Sequence, residues 1–191
     1  MAQEAVVFAD AVASLKKSLG RRFTPKVQEE LKALGFDFDK LQIAYPLNQW
    51  LKGLHLVAQH VVSDVPEADR FRHLGHLFIK GFVQTPMGFA ALTAARVFGV
   101  KRTLLRMGRN FRTATNYAVS EETDLGPKEV QLRISVAPEF LPGIDEKTSL
   151  FLEYRQGVLE GVLEILGAKG TVEVLKVDLA KQDFTYRITW A

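Results

Sequence analysis

The residue types able to do chemistry in this 191-residue chain gather in one stretch, Lys101 to Tyr117. Lys101, Arg102, Arg106, Arg109 and Arg112 lie there with no acidic residue among them. Arg102, Arg106 and Arg109 follow one another at steps of four and three, which stacks them on one face of a helix. Leu104, Met107, Gly108 and Phe111 share another face. A helix that packs one face and gathers guanidinium groups on a second is suited to hold an anion, because the fork donates two parallel hydrogen bonds to a carboxylate or phosphate. Asn116 and Tyr117 lie near its carboxy-terminal end. The candidate ligand- or partner-binding set is therefore Arg102, Arg106, Arg109, Arg112, Asn116 and Tyr117. The plain alternative is a solvated basic face balanced by Glu121, Glu122 and Asp124.

No other stretch proposes a reaction. Asp69, His73 and His76 share a helical face at a spacing that suits zinc, but Lys80 continues that face, and an ammonium beside a cation is unfavourable. His55 and His60 are five apart and do not face together. The serines lack a nucleophile-elbow context, and neither a GxxxxGK[ST] loop nor GxGxxG is present. The Glu121-Glu122 pair sits beside a turn and reads as surface charge. There is no cysteine, hence no disulfide or thiolate chemistry. The expectation is a non-enzyme with no catalytic residue, no metal and no cofactor.

Composition fixes the class. With 47% hydrophobic and 25% charged residues the chain reads as a globular protein, a single domain over 1–191. A formal charge of +3 is far below that of a dedicated nucleic-acid binder. The apolar start is interrupted by Glu4 and Asp10, and its lysines follow rather than precede it, the reverse of a secretory signal. No run approaches the ~20 apolar residues of a membrane span. These features predict a cytoplasmic protein.

The elements that must position the basic segment can be read from periodicity. Thr24-Pro25 opens a helix carrying Val27, Leu31 and Leu34. Phe36 to Asp39 and Ala44 to Pro46 read as loops. Leu51, Leu54, Ala58, Val61 and Val62 mark a second helix, and Phe71, Leu74, Phe78 and Phe82 a third. Phe89 to Phe98 and then the basic helix follow, separated by Gly99. Beyond them the period falls to two. Val130, Leu132, Ile134 and Val136 alternate with polar residues, and Asn116 to Glu122 is their hairpin partner across Asp124 to Pro127. Leu150 to Leu166 is a helix, in which Gly157 and Gly161 allow a close approach, read as packing on the sheet. Val172 to Leu179 is a strand whose phase slips between Val174 and Leu175, as at a bulge. Phe184, Tyr186, Ile188 and Trp190 alternate in a last strand. The fold class is α+β: a helical amino-terminal body packed on a carboxy-terminal antiparallel sheet of about four strands, with one long crossing helix.

Over essentially its whole length the sequence resembles a family of uncharacterised proteins described from myxobacteria. The words that carry this are Thr24-Pro25, Gly35 to Asp39, Ala44 to Pro46 before Trp50, and Leu74-Gly75 with Gly81. Further words are Asn110 to Thr113 with Asn116-Tyr117, Leu125 to Pro127, Gln156 to Glu160 and Thr185 to Trp190. More distantly, the order of elements is similar to the fold shared by haem-based nitric-oxide-binding domains, vinyl-reductase-type ligand domains and small vesicle-tethering subunits. In those the long helix begins near a tyrosine–arginine pair, here Tyr154-Arg155. That resemblance implies a domain that holds an apolar or porphyrin-like ligand between helices and sheet, or serves as an adaptor. Its haem version implies a histidine ligand shortly before the first strand, and Arg112 to Val119 contains none. Its tyrosine–serine–arginine clamp for propionates is also incomplete in Tyr154-Arg155-Gln156, so no haem is expected.

The sequence thus points to a regulatory or sensory module. Its ligand would be small, with an apolar body and an anionic end, entering a pocket between helical body and sheet whose mouth is the Arg102–Arg112 helix with Tyr117. The alternative is an adaptor, as a monomer or homodimer, docking an acidic protein through that basic helix, residues 101–112.

Overall fold

The computed structural model describes residues 4–144 and 150–191. A short strand, β1 (Val6–Phe8), leads into α1 (Ala9–Leu19) and α2 (Pro25–Ala33). The helical body is completed by β2 (Ala44–Pro46), α3 (Leu47–Val61), α4 (Arg70–Phe82), α5 (Pro86–Leu104) and α6 (Met107–Ala114). The hairpin β3 (Ala118–Gly126) and β4 (Glu129–Val136) follows, then α7 (Leu150–Ile165) and the hairpin β5 (Gly170–Asp178) and β6 (Asp183–Trp190). The α+β class stands. No helix among the described residues is long and apolar enough to cross a membrane.

Local signals set several element ends. The Thr24 hydroxyl accepts the Val27 N–H at 3.4 Å with Pro25 in the first turn, and Thr85 accepts the Gly88 N–H at 3.0 Å behind Pro86. Each supplies a partner to an orphan donor of the first turn. The hairpins pair as expected, and β6 also pairs with β4, giving a four-stranded antiparallel sheet in the order β3-β4-β6-β5. Across the two central strands Val130, Leu132 and Ile134 face Ile188, Tyr186 and Phe184, and all six are fully buried. The expected bulge is present, a register shift between Val174 and Lys176 that leaves Leu175 out of the pairing.

Two expectations need correcting. Ala44 to Pro46 is not loop: it is a strand pairing antiparallel with β1, Tyr45 opposite Val7. Pro46 cannot donate to a ladder, which hides the strand in the sequence, but at the end of a short ribbon the missing donor costs little. Gly157 and Gly161 do approach another element closely, but it is α4, not the sheet. A Cβ at Gly157 would lie 1.8 Å from the Arg72 carbonyl oxygen, and one at Gly75 would lie 2.0 Å from the Tyr154 carbonyl oxygen. The two backbones touch where neither helix carries a side chain. Ion pairs run beside this crossing: Arg72 with Glu160, His76 with Glu164, and Lys80 with Glu164 at 3.1 Å.

The outer face of the sheet is tied by charge. Arg133 donates to Asp183 at 2.7 and 3.0 Å and to Glu121 at 3.0 Å, joining β4 to both neighbours. The Arg133 guanidinium holds the nearly buried Asp183 carboxyl below its ordinary 3.8. A depressed carboxylate stabilises the fold above its unfolded value, and the stabilisation is lost as pH falls through the lower folded value. Asp183→Asn should cost about 2 kcal/mol at neutral pH and flatten the loss of stability below about pH 4. Chemical denaturation across that range measures both. Deleting Phe184 to Ala191 should abolish cooperative melting, because it removes a central strand and three buried side chains worth roughly 1.5–3 kcal/mol each from a fold stable by only about 5–15.

Candidate functional site

The basic segment is not one helix. α5 bends at Gly99, whose φ of 77° favours glycine, and ends at Leu104; α6 begins at Met107. At the break Arg106 has φ −121° and ψ 6°, outside the helix. The turn is fixed from outside the segment: the Glu122 carboxylate of β3 accepts the Gly108 N–H at 2.8 Å and the Ser120 hydroxyl at 2.8 Å. An anion at a helix amino terminus is favourable, and this one comes from fourteen residues downstream, beyond any local pattern. The continuous Arg102–Arg112 helix is thereby corrected to two, and the shared helical face of Arg102, Arg106 and Arg109 does not form.

The candidate residues separate into two groups. Arg102, Arg106, Arg109 and Arg112 are exposed, and none makes an ion pair among the described residues. The downstream acids do not neutralise them. Glu122 caps α6, Glu121 meets Arg133, and Asp124 takes Lys101 at 2.8 Å. Arg106 instead lies over the Phe98 ring, 4.7 Å from its centroid. Asn116 and Tyr117 are held within the fold. The Val6 N–H donates to Asn116 Oδ1 at 2.8 Å and Asn116 Nδ2 donates to the Glu4 carbonyl at 2.9 Å, strapping β1 to the α6–β3 corner. Tyr117 is buried against Phe151, ring centroids 6.2 Å apart, and burial pushes its hydroxyl up to about 12.

A cavity of about 120 Å³ lies among α4, α5, α6 and α7. Phe78 and Phe82 of α4, Leu92 of α5, Phe111 of α6 and Val158 and Val162 of α7 form much of its wall. Among the described residues no charged side chain lines it. Of its two hydroxyls, that of Thr103 donates to the Gly99 carbonyl at 2.8 Å, so it is spent at the bend of α5. None of the six candidate residues lines this space, although α6 turns Met107, Phe111 and Ala114 into it while its arginines point elsewhere. The sequence signal that was missed is α5 itself: Ala91 and Ala95 leave room that bulkier residues would fill.

One turn before Val158, on the same face of α7, Arg155 is only 7% exposed. Its guanidinium lies between the Phe151 and Phe184 rings, 5.0 and 5.7 Å from their centroids. Its Nη1 and the neighbouring Tyr154 hydroxyl are buried without a hydrogen-bond partner among the described residues. Burial pushes the Arg155 pKa down and that of Tyr154 up. The nearby Asp183 is already committed to Arg133. On the opposite side of α4, His76 meets Glu164, and no three His, Cys, Asp or Glu side chains converge as a metal set among the described residues.

Comparison with known proteins places this arrangement. The chain belongs to the DUF2378 family, described as a protein of unknown function, whose model matches residues 5–191. No curated protein matches it. Among solved structures it is similar to a variant of the Tt H-NOX domain, at 15% identity and TM-score 0.68, covering 96% of this chain and 94% of that one. An oxygen-binding H-NOX domain related to soluble guanylate cyclases, solved as its oxygen complex, matches at 16% identity and TM-score 0.66, covering 95% and 94%. An H-NOX variant from T. tengcongensis matches at 15% identity and TM-score 0.62, covering 94% of each. At such identities the likeness shows a haem-NO-binding-like fold.

The residues present do not fit the haem studied in H-NOX structures of this fold. Among the described residues the cavity wall offers no imidazole, thiolate or phenol, and the thioethers of Met87 and Met107 are its only sulfur donors. Protein expressed with haem supplementation should therefore show no Soret band. A stoichiometric Soret absorbance that disappears on replacing one of the four histidines would reverse this.

Proposed function

We propose that this member of the DUF2378 family is a non-enzymatic sensory module, acting in the cytoplasm, that takes a small apolar ligand directly into the cavity among α4, α5, α6 and α7. The observation that carries this is the uncharged wall of a space about 120 Å³ in volume. Apolar cavities of that order stay dry and accept molecules the size of benzene or xenon, because no water finds enough partners inside. Binding would join α5 to α4 and α7, so occupancy would be reported as a stiffening or shift of α5, which buries only Gly88, Ala95 and Leu104.

A ligand with an anionic end is the finer reading, and Arg155 favours it. A buried guanidinium with an unpartnered donor is costly, and a carboxylate reaching one turn along α7 from Val158 would satisfy it. The alternative, an adaptor docking an acidic protein, rests on the outward arginines rather than on the cavity.

Benzene is the probe that tests the cavity. It should shift the methyl signals of Met87 and Met107 and raise the melting temperature in proportion to ligand mass action. Ala91→Phe, and independently Val162→Phe from the facing wall, should abolish both effects while keeping a cooperative melt. Benzoate should compete with benzene, and Arg155→Met should weaken benzoate at least tenfold while leaving benzene unchanged. Absent methyl shifts at saturating benzene, or shifts that survive both filling variants, would refute the cavity reading. Benzoate binding unaffected by Arg155→Met would remove the anionic end alone.

A further inference from the structure

The outward side of α5 has no partner, yet it is apolar. Phe89 is 67% exposed, Val97 80% and Phe98 40%. Ala90 and Ala94 lie with them at the surface, and between Phe89 and Phe98 only Thr93 and Arg96 are polar. The opposite side of the same helix supplies Ala91, Leu92 and Ala95 to the cavity. A helix that is hydrophobic all round is ordinarily covered on both sides, and an exposed apolar patch beside polar residues marks a contact surface.

Charge specifies what that contact is. From Pro86 to Ser120 the chain contains no aspartate or glutamate. Arg96, Arg102, Arg106, Arg109 and Arg112 are exposed along α5, α6 and the turn between them, with no ion pair among the described residues. Arg106, stacked on Phe98, joins the arginine row to the apolar patch. A second copy of the chain on this face would set arginines against arginines across a two-fold axis. A surface of uniform negative charge with an apolar layer beneath it answers both halves at once. It needs no matched pocket on the partner, and a guanidinium binds phosphate through its fork.

We propose that this face of α5 and α6 seats the protein on an anionic lipid bilayer. Phe89 and Val97 enter the boundary between headgroups and acyl chains, Phe98 lies at the rim under Arg106, and Arg96, Arg102, Arg106, Arg109 and Arg112 meet lipid phosphates. Phe89 and Val97 are eight residues apart, about 12 Å along the helix, so they enter as two anchors with the helix lying flat. This surface is separate from the cavity, whose wall contains none of these residues.

Vesicle sedimentation decides it. The protein should bind vesicles of phosphatidylcholine and phosphatidylglycerol in equal parts, not phosphatidylcholine alone, and binding should fall as salt rises. The triple variant Arg102→Gln, Arg109→Gln, Arg112→Gln should weaken binding roughly a hundredfold. The double variant Phe89→Ser, Val97→Ser should weaken it at least tenfold with the arginines intact. Both variants should keep the wild-type melt and the benzene response. Failure to bind the mixed vesicles at low salt would overturn the proposal. So would equal binding to both vesicle types, or binding that both variants retain. Binding to a polyglutamate peptide but not to mixed vesicles, lost in the triple variant, would assign the surface to an acidic protein and overturn it as well.

Discussion

The crossing of α4 over α7 is the constraint on which the rest of the molecule depends. Two glycines, Gly75 and Gly157, let the helices meet backbone to backbone, where any Cβ would penetrate a carbonyl. At that separation side chains cannot fill the space between the helices; they must fan outward on either side. On one side they become the ion pairs from Arg72 to Glu164. On the other they become Phe78, Phe82, Val158 and Val162, which diverge and leave the cavity between them. α4 is fixed a second time where Gly81 meets the α1 backbone at Ser14 and Ser18. With α4 held on two sides, the looser α5 and α6 can only close over what remains.

A consequence of this geometry is a division of labour between faces. The cavity wall is apolar and uncharged, whereas Arg72, Lys80 and the arginines of α5 and α6 lie outside it. Arg155 is the exception, a charge enclosed by aromatic rings with an unused donor. Desolvation makes such a group expensive unless something completes it, and its place one turn along α7 from Val158 is what supports the proposed acidic end of the ligand.

Much of the fold was legible in the sequence because its signals are local. Alternation in Val130 to Val136 and Phe184 to Trp190, the slipped phase at Val174, and the cap at Thr24 depend on neighbours a few residues away. What was not legible depends on partners far along the chain. β2 exists because β1 pairs with it, and a proline conceals it. The break at Arg106 exists because Glu122 reaches back to Gly108. Asn116, read as a ligand contact from its place after the arginines, is consumed by the backbone of Glu4 and Val6, more than a hundred residues earlier. The cavity has no local signature at all. It is the space left by small residues on α5, and sequence patterns record what is present rather than what is missing.

The four-stranded sheet also bears on assembly. Its two free edges are β3 and β5. An exposed edge is a template for another strand, and β5 carries Leu175 and Val177 in the open. The extra residue at Leu175 interrupts the row of donors and acceptors, and Lys176 follows it directly. The other edge is engaged by helices: Glu122 of β3 holds the Gly108 N–H of α6, and Asp124 takes Lys101 of α5. One border is thus broken in shape and the other is engaged by α5 and α6, which disfavours extension of the sheet at either.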